Sequence, residues 1–151
     1  MKALRMMGMM LGKHYLNFAH ELYSTPAYAA IGQEIVSRYF SLFRLLAAGK
    51  FDDRSYRELL AQGELISTEL FYHHLQERKI GARMLPALHF MSIDENDEPE
   101  LEKISERVKP LVETLGNVDI LVTQGYICRN HKNEIDNLKR GGSDYTASLL
   151  G

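Results

Sequence analysis

The chain of 151 residues has little cysteine and proline and no tryptophan. Its single cysteine, Cys128, excludes an internal disulfide bond, which favours a reducing compartment. No apolar run approaches the roughly 20 residues that a membrane-spanning helix needs, so no membrane partner is expected. The apolar start, MKALRMMGMMLG, is interrupted by Lys13-His14 and lacks the small-residue cleavage site of a signal peptide. These absences predict a cytoplasmic protein.

Strong charge of either sign is absent as well. The formal net charge is -2, which argues against a nucleic-acid-binding surface. The six histidines are scattered, and no set of histidine, cysteine and carboxylate residues has the spacing of metal ligands. No dedicated metal site is therefore predicted. Hydrophobic residues make up 45% and charged residues 25%, and both values are ordinary for one globular domain.

The first part of the chain, residues 1–80, has a helical pattern. Apolar residues recur at spacings of three and four over residues 3–22 and again over residues 26–48. Ser24-Thr25-Pro26 is typical of a helix start, with an N-cap followed by proline at the first helical position, and Gly49 ends that helix. Residues 51–81 are expected to form one broken helix or two consecutive ones, with Gly63 as the joint, because glycine disfavours a helix interior.

The second part, residues 81–151, has a mixed α/β pattern. ARMLPALHF predicts a short buried strand, and the acidic SIDENDEPE predicts a solvated loop. LEKISERVKPLVETLG predicts an amphipathic helix that Pro110 is expected to kink or break. VDILVTQGYI is typical of a parallel strand buried on both faces, and a hairpin is expected to turn at His131-Lys132-Asn133. So few strands do not make a stable sheet alone, which indicates part of a larger α/β domain.

The most distinctive local chemistry lies at residues 140–144, Arg-Gly-Gly-Ser-Asp, directly ahead of a predicted helix. A helix N-terminus offers free N–H groups to an anion, and Gly141 and Gly142 allow close approach of the backbone. Arg140 adds a bidentate grip suited to a carboxylate, and Ser143 is a predicted N-cap. The alternative is an ordinary glycine-rich turn that binds nothing.

Two further segments are candidates for ligand binding, and each also has a simple structural interpretation. Glu64, in LAQGELIST, could bind an ammonium group, or it could be a first-turn glutamate favoured by the helix dipole. Gln124, Gly125 and Tyr126 follow the strongest strand signal, which is the ligand edge of an open α/β sheet, or they form only a strand exit. Cys128 is expected to be a packed small hydrophobe.

Three segments together resemble a known family. GGSDYTASLLG, LAQGELIST and the continuous block TQGYICRNHKNEIDNLKRGGSDYTAS are similar to segments of aspartate kinases, especially those of the Bacteroides type. The resemblance begins near Glu21 and is strongest over residues 60–68 and 121–151. It implies an amino-acid kinase fold, a three-layer αβα sandwich, of which this chain holds a helical first half and few strands in its second half.

The resemblance also implies an activity. Aspartate kinases phosphorylate the side-chain carboxylate of L-aspartate with ATP and Mg²⁺, giving 4-phospho-L-aspartate for the synthesis of lysine, methionine and threonine. By position in the matching segments, Glu64 corresponds to the residue that holds the substrate ammonium, and Arg140 to the arginine on a substrate carboxylate. Ser143 corresponds to the serine near the acceptor carboxylate, and Asp144 to the aspartate that organises the catalytic lysine. Tyr126 stands at an aromatic position of the aspartate pocket, whereas Lys139 replaces a frequent glycine.

Other parts of the family pattern have no match in this sequence. The Lys-Phe-Gly-Gly-Thr-Ser phosphate loop, the Thr-Asp-Val/Ile-Asp-Gly nucleotide segment and the paired regulatory domains are missing. The chain is therefore expected to be a central excerpt, inactive alone, of a parent enzyme that oligomerises through those regulatory domains. Two alternatives remain open: a stand-alone, non-catalytic helical binding or regulatory module, and a related amino-acid kinase with another carboxylate substrate.

Overall fold

The computed structural model describes residues 2–49, 51–138 and 141–150. The chain divides into two compact units, Met1–Ile80 and Gly81–Gly151. The first unit is entirely helical where described, and the second combines helices with short strands. The predicted mixed α/β class, with a helical first half and few strands in the second half, is therefore confirmed.

The first unit consists of three helices, α1 (Lys2–Leu22), α2 (Pro26–Ala48) and α3 (Asp53–Glu77). Their apolar faces meet in a core, as expected when apolar residues recur every three or four positions. The buried members of this core are Ala19, Tyr23, Ile35, Val36, Ile66 and Leu70. The Tyr23 hydroxyl donates to the Leu70 carbonyl at 2.8 Å, so its polar end is also satisfied inside the core.

Helix α3 is continuous, so the predicted break at Gly63 is wrong. Its start is capped by Asp52, whose Oδ1 accepts the Ser55 N–H at 2.9 Å. Gly63 lies exposed in mid-helix, where its intrinsic cost is only about 1 kcal/mol relative to alanine. The buried side chains of α3 outweigh this cost, since one buried leucine contributes roughly 1.5–3 kcal/mol. They are Ala61, Gln62, Ile66, Leu70 and Leu75.

Helix α2 begins at Pro26 as predicted, but its cap differs from the expected one. The Thr25 side chain makes no capping hydrogen bond to α2. Instead, its hydroxyl donates to the carboxylate of Glu77, near the end of α3, at 2.8 Å. The backbone N–H groups of Ser24 and Thr25 donate to the same carboxylate at distances of 2.8–3.1 Å. Glu77 therefore ties the α1–α2 connection to the end of α3.

We expect this tie to make the stability of the helical unit sensitive to acid. Partial desolvation raises the pKa of Glu77, but hydrogen bonds from Thr25 and Ser24 outweigh it and hold the pKa below its ordinary value. A depressed folded-state pKa stabilises the fold above the unfolded-state pKa, about 4.3, and that stabilisation is lost as pH falls through the folded-state value. Glu77→Gln should therefore lower the melting temperature at pH 7, and its difference from the unsubstituted protein should shrink below about pH 4.

Thermal melts followed by circular dichroism between pH 3 and 7 measure this difference. Glu34→Gln is the matched control, because Glu34 is an exposed glutamate of α2 whose side chain makes no hydrogen bond to another described residue. If the melting temperature of Glu77→Gln differs from that of the unsubstituted protein by the same amount at every pH, the expected link between stability and the ionisation of Glu77 is contradicted.

Within the described residues, the second unit contains four short strands, two α-helices and one 3-10 helix. Strand β1 (Ala82–Met84) pairs in parallel with β2 (Ile120–Val122), with Ala82 opposite Ile120. A short 3-10 helix (Ala87–His89) follows β1, and α4 (Leu101–Leu115) connects it to β2. Strands β3 (Ile127–Arg129) and β4 (Ile135–Asn137) form the predicted antiparallel hairpin, and α5 (Gly142–Leu150) follows.

The strongest predicted strand is shorter and less buried than expected. Strand β2 covers three residues, and Ile120 and Leu121 remain 38% and 36% exposed while Val122 is buried. The expectation of burial on both faces is wrong, because among the described residues β1 is the only strand paired with β2. Similarly, only the first part of ARMLPALHF is a strand, since Pro86 has no N–H with which to continue the ladder.

Helix α4 runs through Pro110 to Leu115, so the proline does not break it. Ile104 is buried, whereas Leu101, the first residue of the helix, is 53% exposed.

Cys128 is fully buried in β3, as predicted. Burial, with the Asp136 and Asp97 carboxylates, raises the pKa of its thiol to about 12, so the thiol is neutral at physiological pH. This environment makes it a packing residue rather than a nucleophile.

Across the described ranges, no helix is both long enough and apolar enough to cross a bilayer.

Candidate functional site

The first part of the candidate site is the turn that follows β2. The strand ends at Val122, and Gln124, Gly125 and Tyr126 lead into β3. Tyr126 has a φ of 68°, in the left-handed region that residues other than glycine rarely adopt. A tight hydrogen bond from the Ile127 N–H to the Gly125 carbonyl, 2.7 Å long, closes the turn. Such strain is characteristic of functional turns.

The second part is the start of α5. Gly141 has a φ of 83°, and its carbonyl accepts the Tyr145 N–H at 2.9 Å. The helix begins at Gly142, so Ser143 lies within its first turn and the prediction of Ser143 as N-cap is wrong. The exposed Ser143 and Asp144 therefore stand in the first turn of α5, where the partial positive charge of the helix favours carboxylates and phosphates.

These two parts pack directly against each other. A Cβ atom added at Gly125 would lie 2.8 Å from Oγ and 2.9 Å from Cα of Ser143. A Cβ atom at Gly142 would lie 2.6 Å from Cβ of Leu138 and 3.2 Å from Cδ2 of Tyr126. Both positions accept only glycine without displacement. The fold thus brings together Tyr126, Gly142 and Ser143, three of the residues that the sequence predicted for one pocket.

An open depression of about 510 Å³ lies beside the start of α5. Its lining includes Gly141, Gly142 and Asp144, together with two acidic residues of the loop before α4, Asp97 and Glu98. No sequence pattern connected that loop with the glycine pair, because the composition of the loop is typical of a solvated segment. Since three carboxylates line the depression, an anion bound there requires accompanying cations.

For two predicted residues, Glu64 and Arg140, the described contacts give no placement in a site. Glu64 is a half-buried residue in the middle of α3, in the first unit, so it is neither at a helix break nor in a first turn. Its backbone carbonyl accepts the Thr68 hydroxyl at 2.6 Å. Arg140 lies outside the described residues. The roles assigned to both stay predictions.

Gln124, which the sequence indicated only by its position after the strongest strand signal, makes a buried hydrogen bond that the sequence did not reveal. It is 4% exposed, and its Oε1 accepts the Ala87 N–H at 2.8 Å while its Nε2 contacts Sδ of Met84 at 3.9 Å. The available signal was its position, a polar residue directly after an apolar run.

In the part of the chain that the structure describes, no three histidine, cysteine or acidic side chains are grouped closely enough to hold a metal ion. The predicted absence of a dedicated metal site stays a prediction.

Comparison with known proteins agrees with this architecture. The sequence profile described as the amino acid kinase family matches residues 10–151. The chain therefore belongs to the amino acid kinase family.

Within that family, the chain is similar to aspartokinases. It is 35% identical over 96 residues to the lysine-sensitive aspartokinase 3 of Escherichia coli, covering 62% of this chain and 21% of the relative. It is 30% identical over 123 residues to the bifunctional aspartokinase/homoserine dehydrogenase 2 of the same organism, covering 78% of this chain and 15% of the relative. The chain thus spans about a fifth or less of the length of these relatives.

Solved structures give the same result. The E. coli aspartokinase III structure with aspartate and ADP has a TM-score of 0.70 and 29% identity, covering 87% of this chain and 30% of that one. The Clostridium acetobutylicum aspartate kinase has a TM-score of 0.68 at 16% identity, covering 95% of this chain and 29% of that one, and this likeness supports the fold alone.

Proposed function

We propose that the protein containing this chain is an aspartate kinase. It transfers the terminal phosphoryl group of ATP to the side-chain carboxylate of L-aspartate, giving 4-phospho-L-aspartate and ADP. The observation that carries this proposal is the similarity to aspartokinases across both units, at 35% identity to the lysine-sensitive relative. The packing of the Gly125–Tyr126 turn on Gly142 and Ser143 supports it, because the most family-specific segments meet there.

The residue types suit the substrate. Aspartate carries two carboxylates and one ammonium group, so its pocket needs cations or N–H donors for the former and an acid for the latter. In the proposal, Arg140 and the first-turn N–H groups of α5 bind the carboxylates, and Glu64 binds the ammonium group. Ser143 lies near the acceptor carboxylate, with Gly141 and Gly142 giving close approach and Tyr126 forming a wall of the pocket.

The proposed reaction uses ATP as the phosphoryl donor and Mg²⁺ as the ion bound to its phosphates. The solved aspartokinase III complex contains ADP, which supports ATP as the phosphoryl donor. Mg²⁺ is proposed to arrive on the ATP phosphates, since Mg²⁺ is usually held by phosphates and one or two carboxylates. Asp144 is proposed to organise the catalytic lysine, as its position in the Gly-Gly-Ser-Asp segment of the family implies. It lines the depression from the first turn of α5. Phosphoryl transfer then depends on positioning and charge neutralisation.

The remaining parts of the proposal concern the whole protein. We infer a cytoplasmic location from the single cysteine, which favours a reducing compartment. Homo-oligomerisation through regulatory domains rests on the family resemblance.

Hydroxamate trapping of phospho-aspartate tests the proposal. The full-length protein, with ATP, Mg²⁺ and L-aspartate, should give aspartyl hydroxamate, and omission of aspartate should abolish the signal. The 151-residue chain alone should give none, because it lacks a match to the lysine-containing phosphate loop of the family. Activity with glutamate or another carboxylate, but not aspartate, would favour a different amino-acid kinase. No turnover with any carboxylate would favour a binding or regulatory module.

A further inference from the structure

One buried side chain, that of Gln124, joins the connection after β1 to the connection after β2 through a hydrogen bond. The β1–β2 ladder continues one step beyond β1, where the Leu85 N–H donates to the Val122 carbonyl at 2.8 Å. It then stops, because Pro86 has no N–H group. In the parallel register, with Met84 opposite Val122, the next partner of Pro86 on the second strand is Gln124.

Beyond the point where the backbone ladder stops, the Gln124 side chain supplies the next hydrogen-bond acceptor. Its Oε1 accepts the N–H of Ala87, the first residue of the 3-10 helix. Ala87 is fully buried, and the side chain of Pro86, the cap residue, cannot accept a hydrogen bond from the Ala87 N–H. Without Gln124, the Ala87 N–H is a buried donor without a partner, which is costly.

The segment that Gln124 holds also pairs with the strand after the candidate turn. The Arg129 N–H donates to the Met91 carbonyl at 2.9 Å, and the Arg129 Nε donates to the Leu88 carbonyl at 3.1 Å. The Gly125–Tyr126 turn is thus fixed before its start by Gln124 and after its end by Arg129. Because Gly125 touches Ser143, a shift of this turn displaces the first turn of α5.

We propose that Gln124 is a positioning residue for the aspartate pocket, which acts by fixing the Gly125–Tyr126 turn against Ser143. This inference rests on the proposed kinase function for its catalytic consequence, although the geometric part stands on the contacts alone. Gln124 has no assigned contact with substrate.

The test is Gln124→Met in the full-length protein. Methionine keeps the length of the side chain but removes the acceptor for the Ala87 N–H. The KM for aspartate should rise roughly tenfold, as expected when a buried donor loses its partner. The KM for ATP should stay within about twofold. A purely structural role predicts instead a smaller active fraction, with lower kcat and unchanged KM values.

The matched control is Thr123→Val at the neighbouring position. The Thr123 Oγ1 is buried and has no hydrogen-bond partner in the described part of the chain, so its removal breaks no contact of this kind. Thr123→Val should leave both KM values within about twofold of the unsubstituted protein.

Amide hydrogen exchange separates this inference from the proposed function. Gln124→Met should accelerate exchange at residues 87–91, 125–129 and 143–146, whereas Thr123→Val should not. If the unsubstituted protein makes no phospho-aspartate, the proposed function fails, and the exchange data alone decide the positioning role. Unchanged exchange at residues 125–129 and 143–146 in Gln124→Met overturns the inference.

Discussion

Gly125→Ala is expected to reduce kcat/KM for aspartate by roughly a hundredfold in the proposed full-length kinase, because misplacement of a site by about 1 Å has effects of that size. Gly125 does not have a left-handed backbone, so alanine is tolerated conformationally and the cost is steric. The new methyl group would lie 2.9 Å from Cα of Ser143, which no side-chain rotation can relieve. Either the turn or the first turn of α5 must move.

Steady-state kinetics with the coupled ADP assay and hydroxamate trapping measure this loss. Gly49→Ala is the control, because a Cβ atom there meets only ordinary contacts at 3.8 Å and 3.9 Å. Its kinetics should match those of the unsubstituted protein. If Gly125→Ala keeps full activity at an unchanged melting temperature, the contact between this turn and Ser143 has no role in catalysis.

The second large effect is expected from Arg140→Ala, which should raise the KM for aspartate by roughly two to four orders of magnitude. In the proposal, Arg140 pairs with a substrate carboxylate, and loss of one partner of a buried charge pair costs about 3–5 kcal/mol. ATP affinity should change little, because the residue is assigned to the amino-acid side. Arg140→Lys should recover only part of the loss, since lysine cannot form a bidentate pair.

Isothermal titration with aspartate and with a non-hydrolysable ATP analogue separates the two affinities. Lys139→Ala removes the same charge from the adjacent position and serves as the control for general electrostatic attraction. An equal loss of aspartate and nucleotide affinity in Arg140→Ala would reject the assignment. The assignment would also be rejected if Lys139→Ala lowered aspartate affinity as much as Arg140→Ala does.

Local signals predicted much of the fold. Proline at position 26 and glycine at position 49 mark the ends of α2, since proline suits a helix start and glycine a helix end. The hairpin of β3 and β4 followed from its turn residues. The helix break predicted at Gly63 does not occur, because burial of the other side chains of α3 outweighs the small free-energy cost of a glycine inside a helix. The extent of β2 was overestimated, because an apolar run does not reveal which strands pair with it.

The candidate site was only half predictable. The residue types for a carboxylate ligand are visible in the Gly-Gly-Ser-Asp segment, and family resemblance gave them roles. The hydrogen bonds of Glu77 to the α1–α2 connection and of Gln124 to the 3-10 helix were not visible, because each joins residues far apart in sequence. Such hydrogen bonds have no periodicity that a sequence could display.

Local patterns in the chain were enough to predict the family, the helical first half and the chemical types at the candidate pocket, since each depends on residues that lie close together in the sequence. The packing of Gly125 on Ser143, the packing of Gly142 on Tyr126 and Leu138, and the bond of Gln124 to Ala87 became visible only in the folded chain. These contacts arise from close packing, because which atoms approach within about 3 Å depends on the whole arrangement of strands and helices.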